Sequence, residues 1–229
     1  MSLSYFFAGY LLVHLALLTL SFRWQLAGPR TWLIRAILIG VIYDNAMLLL
    51  SSWYGAADWL TPLNYPRWWL HGLLLPLLSL YMLSLLRQSG VAMAFKGWFS
   101  AIFVVITVLC LSYGIWYDIV QLQLTSRLFE DPNGFFHSME RFNALNGTPP
   151  LGTIFTNLFI LPFTVVVWRK SGWPWLFAGT LTIFLINGAS APLAYGFLLG
   201  NFAEILFLLA LLKTEQYFGT VKAAAVPNS

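Results

Sequence analysis

Two carboxylic acids lie in the middle of long apolar segments. Asp44 is in LIGVIYDNAMLLL, residues 38–50, and Glu204 is in GNFAEILFLLALL, residues 200–212. A charged side chain at the centre of a membrane costs about 2.5–3.5 kcal/mol on insertion scales, so each acid is expected to face a partner, a cavity or water. The sequence predicts no lysine or arginine at the same depth. At least one acid is therefore expected to stay protonated near neutral pH and to be able to donate its proton.

Other polar side chains lie at depths compatible with the two acids. Asn201 is three residues before Glu204, so both share one helical face. Asn45 adjoins Asp44 but points about 100° away around a helix, so it needs a different partner. The side chains that could orient the acids or a substrate are Asn45, His71, Asn157, Asn187 and Asn201.

Aromatic residues make up 17% of the chain. Aromatic faces stabilise cations through their quadrupole. Tyr43 and Phe202, next to the polar positions, are candidates for that role. An acid in an apolar, aromatic-lined cavity can protonate an alkene or epoxide and guide the resulting carbocation. The same composition also suits passive binding of a flat apolar ligand.

The composition predicts the elements that hold these residues. Of 229 residues, 59% are hydrophobic and 9% are charged, and the mean hydropathy is +0.76. A soluble domain carries about 25% charged residues, so we expect an all-α, polytopic membrane protein. The apolar runs predict a bundle of seven transmembrane helices at roughly 3–22, 32–53, 67–87, 97–117, 151–169, 173–193 and 195–213.

The basic residues predict how this bundle is oriented. Nine of the twelve lysines and arginines lie on the side of the C-terminus and three on the other. Because cytoplasmic loops carry the excess of positive charge, the N-terminus is predicted outside and the C-terminus in the cytoplasm. The membrane would be a bacterial inner membrane or a eukaryotic endomembrane. One domain is predicted over 1–213, with a flexible tail over 214–229.

The long connection over residues 118–150 is predicted on the extracytoplasmic side. It mixes charges with phenylalanines in SRLFEDPNGFFHSMERFNALNGTPP. It could lie at the interface as a short amphipathic helix or lid, or it could pack over the mouth of the bundle.

Several classes of function are disfavoured. No basic cluster resembles a nucleic-acid footprint, and the three histidines lack the spacing of a catalytic metal site. No Walker loop, dinucleotide fingerprint or nucleophile elbow is present, so no cofactor is expected. The expected partners are a lipid-soluble small molecule and membrane lipid.

The element GNFAE, residues 200–204, resembles the Asn-x-x-Trp-Glu element of the small integral-membrane terpene cyclases of meroterpenoid and indole-diterpene pathways. Ala203 stands where that family has tryptophan. The resemblance implies seven spans and catalysis by a membrane-embedded glutamate and aspartate, here Glu204 and Asp44.

These observations favour an intramembrane isoprenoid cyclase of isomerase or lyase type. Either Asp44 or Glu204 would be the general acid, and the other carboxyl would stabilise positive charge or take the final proton. An alternative is a proton-coupled transporter of a small molecule or lipid, with the same two acids as its proton sites. A third is a binding or assembly subunit whose acids join helices by hydrogen bonds.

Overall fold

Apolar segments of this length form helices, because a backbone in lipid must satisfy its hydrogen bonds internally. The computed structural model describes residues 2–24, 26, 28–145, 147 and 150–224. In this part of the chain the helices are α1 (Ser4–Arg23), α2 (Pro29–Tyr54), α3 (Leu60–Leu74), α4 (Leu78–Gln88), α5 (Gly97–Gly114), α6 (Leu151–Ser171), α7 (Trp175–Ser190) and α8 (Gly196–Ala224).

Two irregular segments lengthen these helices. A 3₁₀ turn at Leu75–Leu77 joins α3 to α4, so that Leu60–Gln88 forms one bent rod. A π-helical segment at Ile115–Val120 continues α5. Six helices within the described residues are then long and apolar enough to cross a membrane, while α7 is a shorter apolar helix. The predicted all-α architecture of membrane type is confirmed.

The helices pack around two apolar clusters. The larger one includes Leu38, Met82, Phe103 and Phe207, from α2, α4, α5 and α8. α8 packs against α7, α1 and α2, and the bent rod lies between α2, α5 and α6. This arrangement places α2, α3 and α8, which bear the polar residues, next to one another.

The third apolar rod begins seven residues before its predicted start. The sequence predicts the span over 67–87, because Pro66 and polar neighbours resemble a helix boundary. In the structure α3 starts at Leu60 and Pro66 lies inside it. Arg67 is consequently two turns inside the helix and 8% exposed, rather than at its end.

The long connection contains a β-hairpin. β1 (Leu124–Phe129) pairs with antiparallel β2 (Met139–Ala144). Phe129 and Met139 join the second apolar cluster with Leu3 of the N-terminus, Phe7 of α1, Leu48 of α2 and Leu198 of α8. Between residues 121 and 145 the connection packs over the bundle mouth as turns and the hairpin, with no amphipathic helix in this described stretch. We call the covered end, made by the starts of α1 and α8 and the end of α2, the hairpin end.

The hairpin is anchored to the bundle and stabilised at its tip. The Glu140 carboxylate accepts a hydrogen bond from the Ala56 N–H at 2.6 Å. The Asp131 carboxylate accepts backbone N–H groups of Asn133, Phe135 and Phe136 at 2.7–3.0 Å. These hydrogen bonds favour the charged form and hold the pKa of Asp131 below its usual value of 3.8.

Asp131→Ala should therefore loosen the hairpin tip. A carboxylate with a lowered pKa contributes stability at neutral pH and loses it as the pH falls through that pKa. Hydrogen exchange of the 131–138 peptide should be faster in the variant at pH 7, and the difference should vanish in strong acid. Glu130→Ala, at an exposed neighbour, is the control; an equal effect there would contradict the assignment.

The C-terminal helix continues past the predicted boundary of the tail. The sequence predicts flexibility from residue 214, whereas α8 runs to Ala224. Glu215 is buried and pairs with Arg30 at 3.0 Å. The Tyr217 ring stacks on Trp173 with centroids 4.5 Å apart. These contacts hold the 215–217 part of α8 against the bundle. Residues 225–229 of the predicted tail lie outside the described residues.

Candidate acid–base site

Asp44 has a cationic partner. Its Oδ1 lies 2.6 Å from Arg67 Nε, and the two side chains are 13% and 9% exposed. Arg67 Nη1 donates a further hydrogen bond to Asn64 Oδ1 at 2.9 Å. The expectation that no arginine reaches the depth of Asp44 is wrong, because α3 begins at Leu60. Asp44 is an ionised partner of Arg67, and such a carboxylate carries no proton to donate.

Neighbouring contacts between α2 and α3 support this ion pair. Gly40 of α2 lets Leu70 approach, since a Cβ built on the glycine would lie 3.4 Å from the leucine Cβ. The Tyr43 hydroxyl donates to the Leu63 carbonyl at 2.6 Å. Tyr43, which we expected to stabilise a cation, instead ties α2 to the α3 backbone through its hydroxyl.

Glu204 faces a histidine rather than an arginine. His71 Nε2 lies 3.7 Å from Glu204 Oε1, and the side chains are 31% and 25% exposed. His71 Nδ1 is 2.8 Å from the Arg67 carbonyl oxygen. A carbonyl only accepts, so Nδ1 carries a hydrogen and Nε2 is left to face the carboxyl. The pair can hold one proton on either partner, and a small rotation of one side chain brings the atoms into hydrogen-bond contact.

An apolar crevice opens beside this pair. It has a volume of about 200 Å³, including the part open to the surroundings. Aliphatic residues and one glycine form its walls, and His71 is the polar group among its lining residues, which are Ile37, Gly40, Val41, Leu70, His71, Leu74 and Leu75. The crevice is a shallow, open groove, in which the imidazole borders an aliphatic surface.

A third acid, which the sequence reasoning missed, lies near His71. A Cβ built on Gly72 would be 2.7 Å from Asp118 Oδ2, so this carboxylate lies against the α3 backbone. Asp118 belongs to the π-helical segment, and such segments occur often at functional sites. It is within Coulombic reach of His71. Asp118 can thus stabilise a positive charge on the imidazole.

The two asparagines beside the acids are buried. Asn45 Nδ2 donates to the Val41 carbonyl at 3.0 Å, and Asn201 Nδ2 donates to the Phe197 carbonyl at 2.8 Å. Each amide oxygen is left without a hydrogen-bond partner among the described residues. These oxygens can accept from a group placed between the helices.

The remaining predicted residues lie around the site or away from it. Asn187 of α7 reaches the α8 backbone, since its Oδ1 would be 3.0 Å from a Cβ built on Gly200. Asn157 belongs to α6, which packs mainly against α4, α5 and α7. Phe202 is 45% exposed on the outer surface of α8. Phe202, a candidate for stabilising a cation, thus lies on a different side of α8 from the face that Asn201 and Glu204 share, and its role stays a prediction.

The hairpin places one positive charge, on Arg141 of β2, near the Asp44–Arg67 pair. The Arg141 guanidinium lies 3.9 Å from the Phe197 ring centroid. Burial, together with the nearby Arg67 guanidinium, lowers the pKa of Arg141 to about 10. Arg141 is still protonated at neutral pH, so it keeps its charge next to the Asp44–Arg67 pair.

The site has the character of an acid–base centre. Among the described residues no group of three or more His, Cys, Asp or Glu side chains is arranged to hold a metal ion. The His71 imidazole lines an apolar crevice and faces the Glu204 carboxyl at 3.7 Å, with the Asp44–Arg67 ion pair one turn away. No protein-family model matches the chain, and no curated protein matches it.

Proposed function

We propose that the protein is an intramembrane acid–base enzyme that cyclises or isomerises a lipid-soluble, isoprenoid-like substrate. The observation that carries the proposal is the His71–Glu204 pair at 3.7 Å, partly accessible and next to an aliphatic crevice. Asp44 was one candidate for the proton donor, but its pairing with Arg67 leaves Glu204 as the better one.

The chemistry needs one proton and no redox partner. Glu204, with its proton shared with His71, protonates a carbon of an alkene or an epoxide oxygen. The substrate's π electrons then close the new C–C bond, and the carbocation moves along the chain. Loss of a proton from carbon to the Glu204 carboxylate ends the reaction and restores the acid, so atoms and electrons balance. General acid–base catalysis of this kind contributes about 10²–10⁴-fold to a rate.

The surrounding residues supply positioning. The backbone carbonyl of Arg67 accepts a hydrogen bond from His71 Nδ1–H, and its guanidinium pairs with Asp44. Arg67 therefore fixes the tautomer of His71 and also neutralises Asp44. Asp118 lies against the α3 backbone at Gly72, where its negative charge favours an imidazolium on His71. Asn201 is one helical turn from Glu204 and can orient an oxygen of the substrate.

The proposal includes a topology of seven spans, with α7 as the short one. With Arg67 inside α3, the side of the hairpin end keeps two basic residues of the twelve, Arg127 and Arg141, while nine lie on the opposite side. This asymmetry supports an extracytoplasmic hairpin end and a cytoplasmic C-terminus. The protein would be a multi-pass protein of a bacterial inner membrane or eukaryotic endomembrane.

Glu204→Gln and His71→Gln should each reduce product at least 10²-fold. Mass spectrometry of lipids that co-purify with wild type should find a cyclised isoprenoid, and the variants should carry its linear precursor. Asp58→Asn, at an exposed acid on the α2–α3 connection, is the matched control. Unchanged turnover in both variants, with folding intact, would rule out this pair as the acid.

One observation favours a second function, a proton-coupled transporter. The third rod changes from α to 3₁₀ geometry at Leu75–Leu77, one turn from His71, and irregular helix segments are typical of transporter sites. In that case the pair would load and release a proton during transport. Proton-driven uptake into liposomes, without conversion of the substrate, would favour transport over catalysis.

A further inference from the structure

Three buried hydrogen-bond acceptors near Glu204 have no donor among the described residues. They are His14 Nε2, Asn45 Oδ1 and Asn201 Oδ1, on side chains 0%, 0% and 8% exposed. His14 Nδ1 lies 2.8 Å from the Tyr10 carbonyl oxygen, so it carries the hydrogen and Nε2 has a free lone pair. Both amides are oriented in the same way, because each Nδ2 donates to a carbonyl one turn earlier.

Two contacts fix the register of α1 against α8. The Tyr10 hydroxyl donates to the Leu198 carbonyl at 3.1 Å, and the Lys213 ammonium lies 4.5 Å from the Trp24 ring centroid. The sequence separation between the two partners is nearly the same in both contacts. The two helices therefore run parallel, with a constant offset along their length. His14, one turn beyond Tyr10, therefore lies level with the turn of α8 that carries Asn201 and Glu204.

The register of α1 against α2 brings the third acceptor within about one turn of His14. The helices are antiparallel, with Arg35 Nε donating to Ser21 Oγ at 3.0 Å near one end and Phe7 and Leu48 in one cluster at the hairpin end. Between these contacts, Asn45 lies level with Tyr10, one turn from His14 toward the hairpin end. Side chains lean toward the N-terminus of their own helix, so the His14 and Asn45 side chains lean toward each other.

The charges around His14 come from three neighbouring helices and its own. His14 is within Coulombic reach of Glu204 and Asp44, and Asp44 is already paired with Arg67. The titratable and charged groups that bear on this region are Tyr10 on α1, Asp44 on α2, Arg67 and His71 on α3 and Glu204 on α8.

We propose that His14 is a proton-binding site that exchanges its proton with Glu204, so that His71, Glu204 and His14 form a relay across α3, α8 and α1. With His14 neutral, none of the three acceptors has a donor among the described residues, and such unmade hydrogen bonds are costly in a dry interior. A proton on Nε2 turns the imidazole into a donor at this level of the bundle. Protonation of His14 would therefore supply a donor to a region in which the described residues leave acceptors unpaired.

The relay adds a proton-storage site to the proposed enzyme. Its role in catalysis rests on the proposed function, whereas proton binding by His14 does not. In the transfer, the O–H bond of Glu204 breaks and an N–H bond forms on His14 Nε2, leaving a carboxylate beside an imidazolium. The reverse step returns the same proton to Glu204 before the acid protonates substrate, and the carbocation later gives its proton back to the Glu204 carboxylate. His14 is fully buried and is not among the residues that line the crevice. It therefore holds the proton without contacting the substrate.

The chain has three histidines, His14, His71 and His137, so selective ¹⁵N-histidine labelling gives an assignable NMR spectrum. His14 Nδ1 should stay protonated at all pH values while Nε2 titrates. Glu204→Gln should move the His14 titration midpoint by about one pH unit or more, whereas Glu204→Asp, which keeps the charge, should restore it. Glu130→Gln, at an exposed acid, should change nothing.

Replacing the other two acceptors tests the cluster separately. Asn45→Leu or Asn201→Leu should make His14 harder to protonate, with no matching change at His137. A His14 signal that never titrates, or titrates identically in wild type and Glu204→Gln, would overturn the relay. Coupled titration without any lipid conversion would instead overturn the cyclase and leave the relay standing, so the two proposals fail differently.

Discussion

Replacement of Arg67 by methionine should destabilise the protein by about 3 kcal/mol, because it leaves the Asp44 carboxylate largely buried without its cation. The two side chains are 9% and 13% exposed, so water can replace little of the lost interaction. Unfolding in a mild detergent, followed by intrinsic tryptophan fluorescence, measures the change. Arg127→Met, at an exposed arginine of the hairpin, is the matched control and should lie within about 0.5 kcal/mol of wild type.

The double variant Arg67→Met, Asp44→Asn should recover most of that loss, since the neutral amide leaves no bare charge in the interior. The coupling between the two positions, obtained from the four proteins, gives the strength of the interaction. If Arg67→Met is as stable as wild type, Asp44 is neutral when its partner is absent. Asp44 would then have to be tested again as a candidate proton donor.

Gly114→Ala should destabilise the bundle by about 1–3 kcal/mol, the usual cost of overpacking. A Cβ built on Gly114 would lie 2.5 Å from the Gly72 carbonyl oxygen and 2.9 Å from the Gly72 Cα. These are backbone atoms, so no side-chain rotation relieves the overlap and α5 must move away from α3. That movement also withdraws Asp118 from the backbone beside His71.

Two helical glycines provide controls for this variant. Cβ atoms built on Gly9 of α1 and Gly188 of α7 meet nothing within 4 Å. Gly9→Ala and Gly188→Ala should therefore leave the unfolding midpoint unchanged or raise it slightly, since alanine favours helix. If Gly114→Ala matches these controls, the close crossing of α3 and α5 is wrong.

Hydropathy predicts the helices of this fold because lipid leaves an apolar segment little choice of backbone structure. The first two helices start and end within a few residues of their predicted bounds. The third does not, because Pro66 and its polar neighbours look like a boundary while the structure accommodates the proline inside α3. Because the predicted start was seven residues too late, Arg67 was placed at the end of the span and was not recognised as the partner of Asp44.

Depth and spacing identified Glu204, Asn201 and His71 as candidate residues, but the sequence did not show that His71 rather than Asp44 faces Glu204. They could not show that a π-helical segment brings Asp118 against Gly72, since no simple periodicity marks such a segment. Nor could they show which buried histidine has a free lone pair, because that depends on how α1 is seated against α8. The β-hairpin was hidden for a similar reason: its aromatic residues suit an interfacial helix as well as a strand.

Glu204 lies on α8, which is made after the other seven helices described. During synthesis the Asp44–Arg67 pair can form as soon as α2 and α3 have met. Glu204 can face His71 only after α8 has packed against α1 and α2. The acid–base pair is therefore assembled last, and a chain that stops before α8 would keep His71 and its crevice but lack the acid that we propose for catalysis.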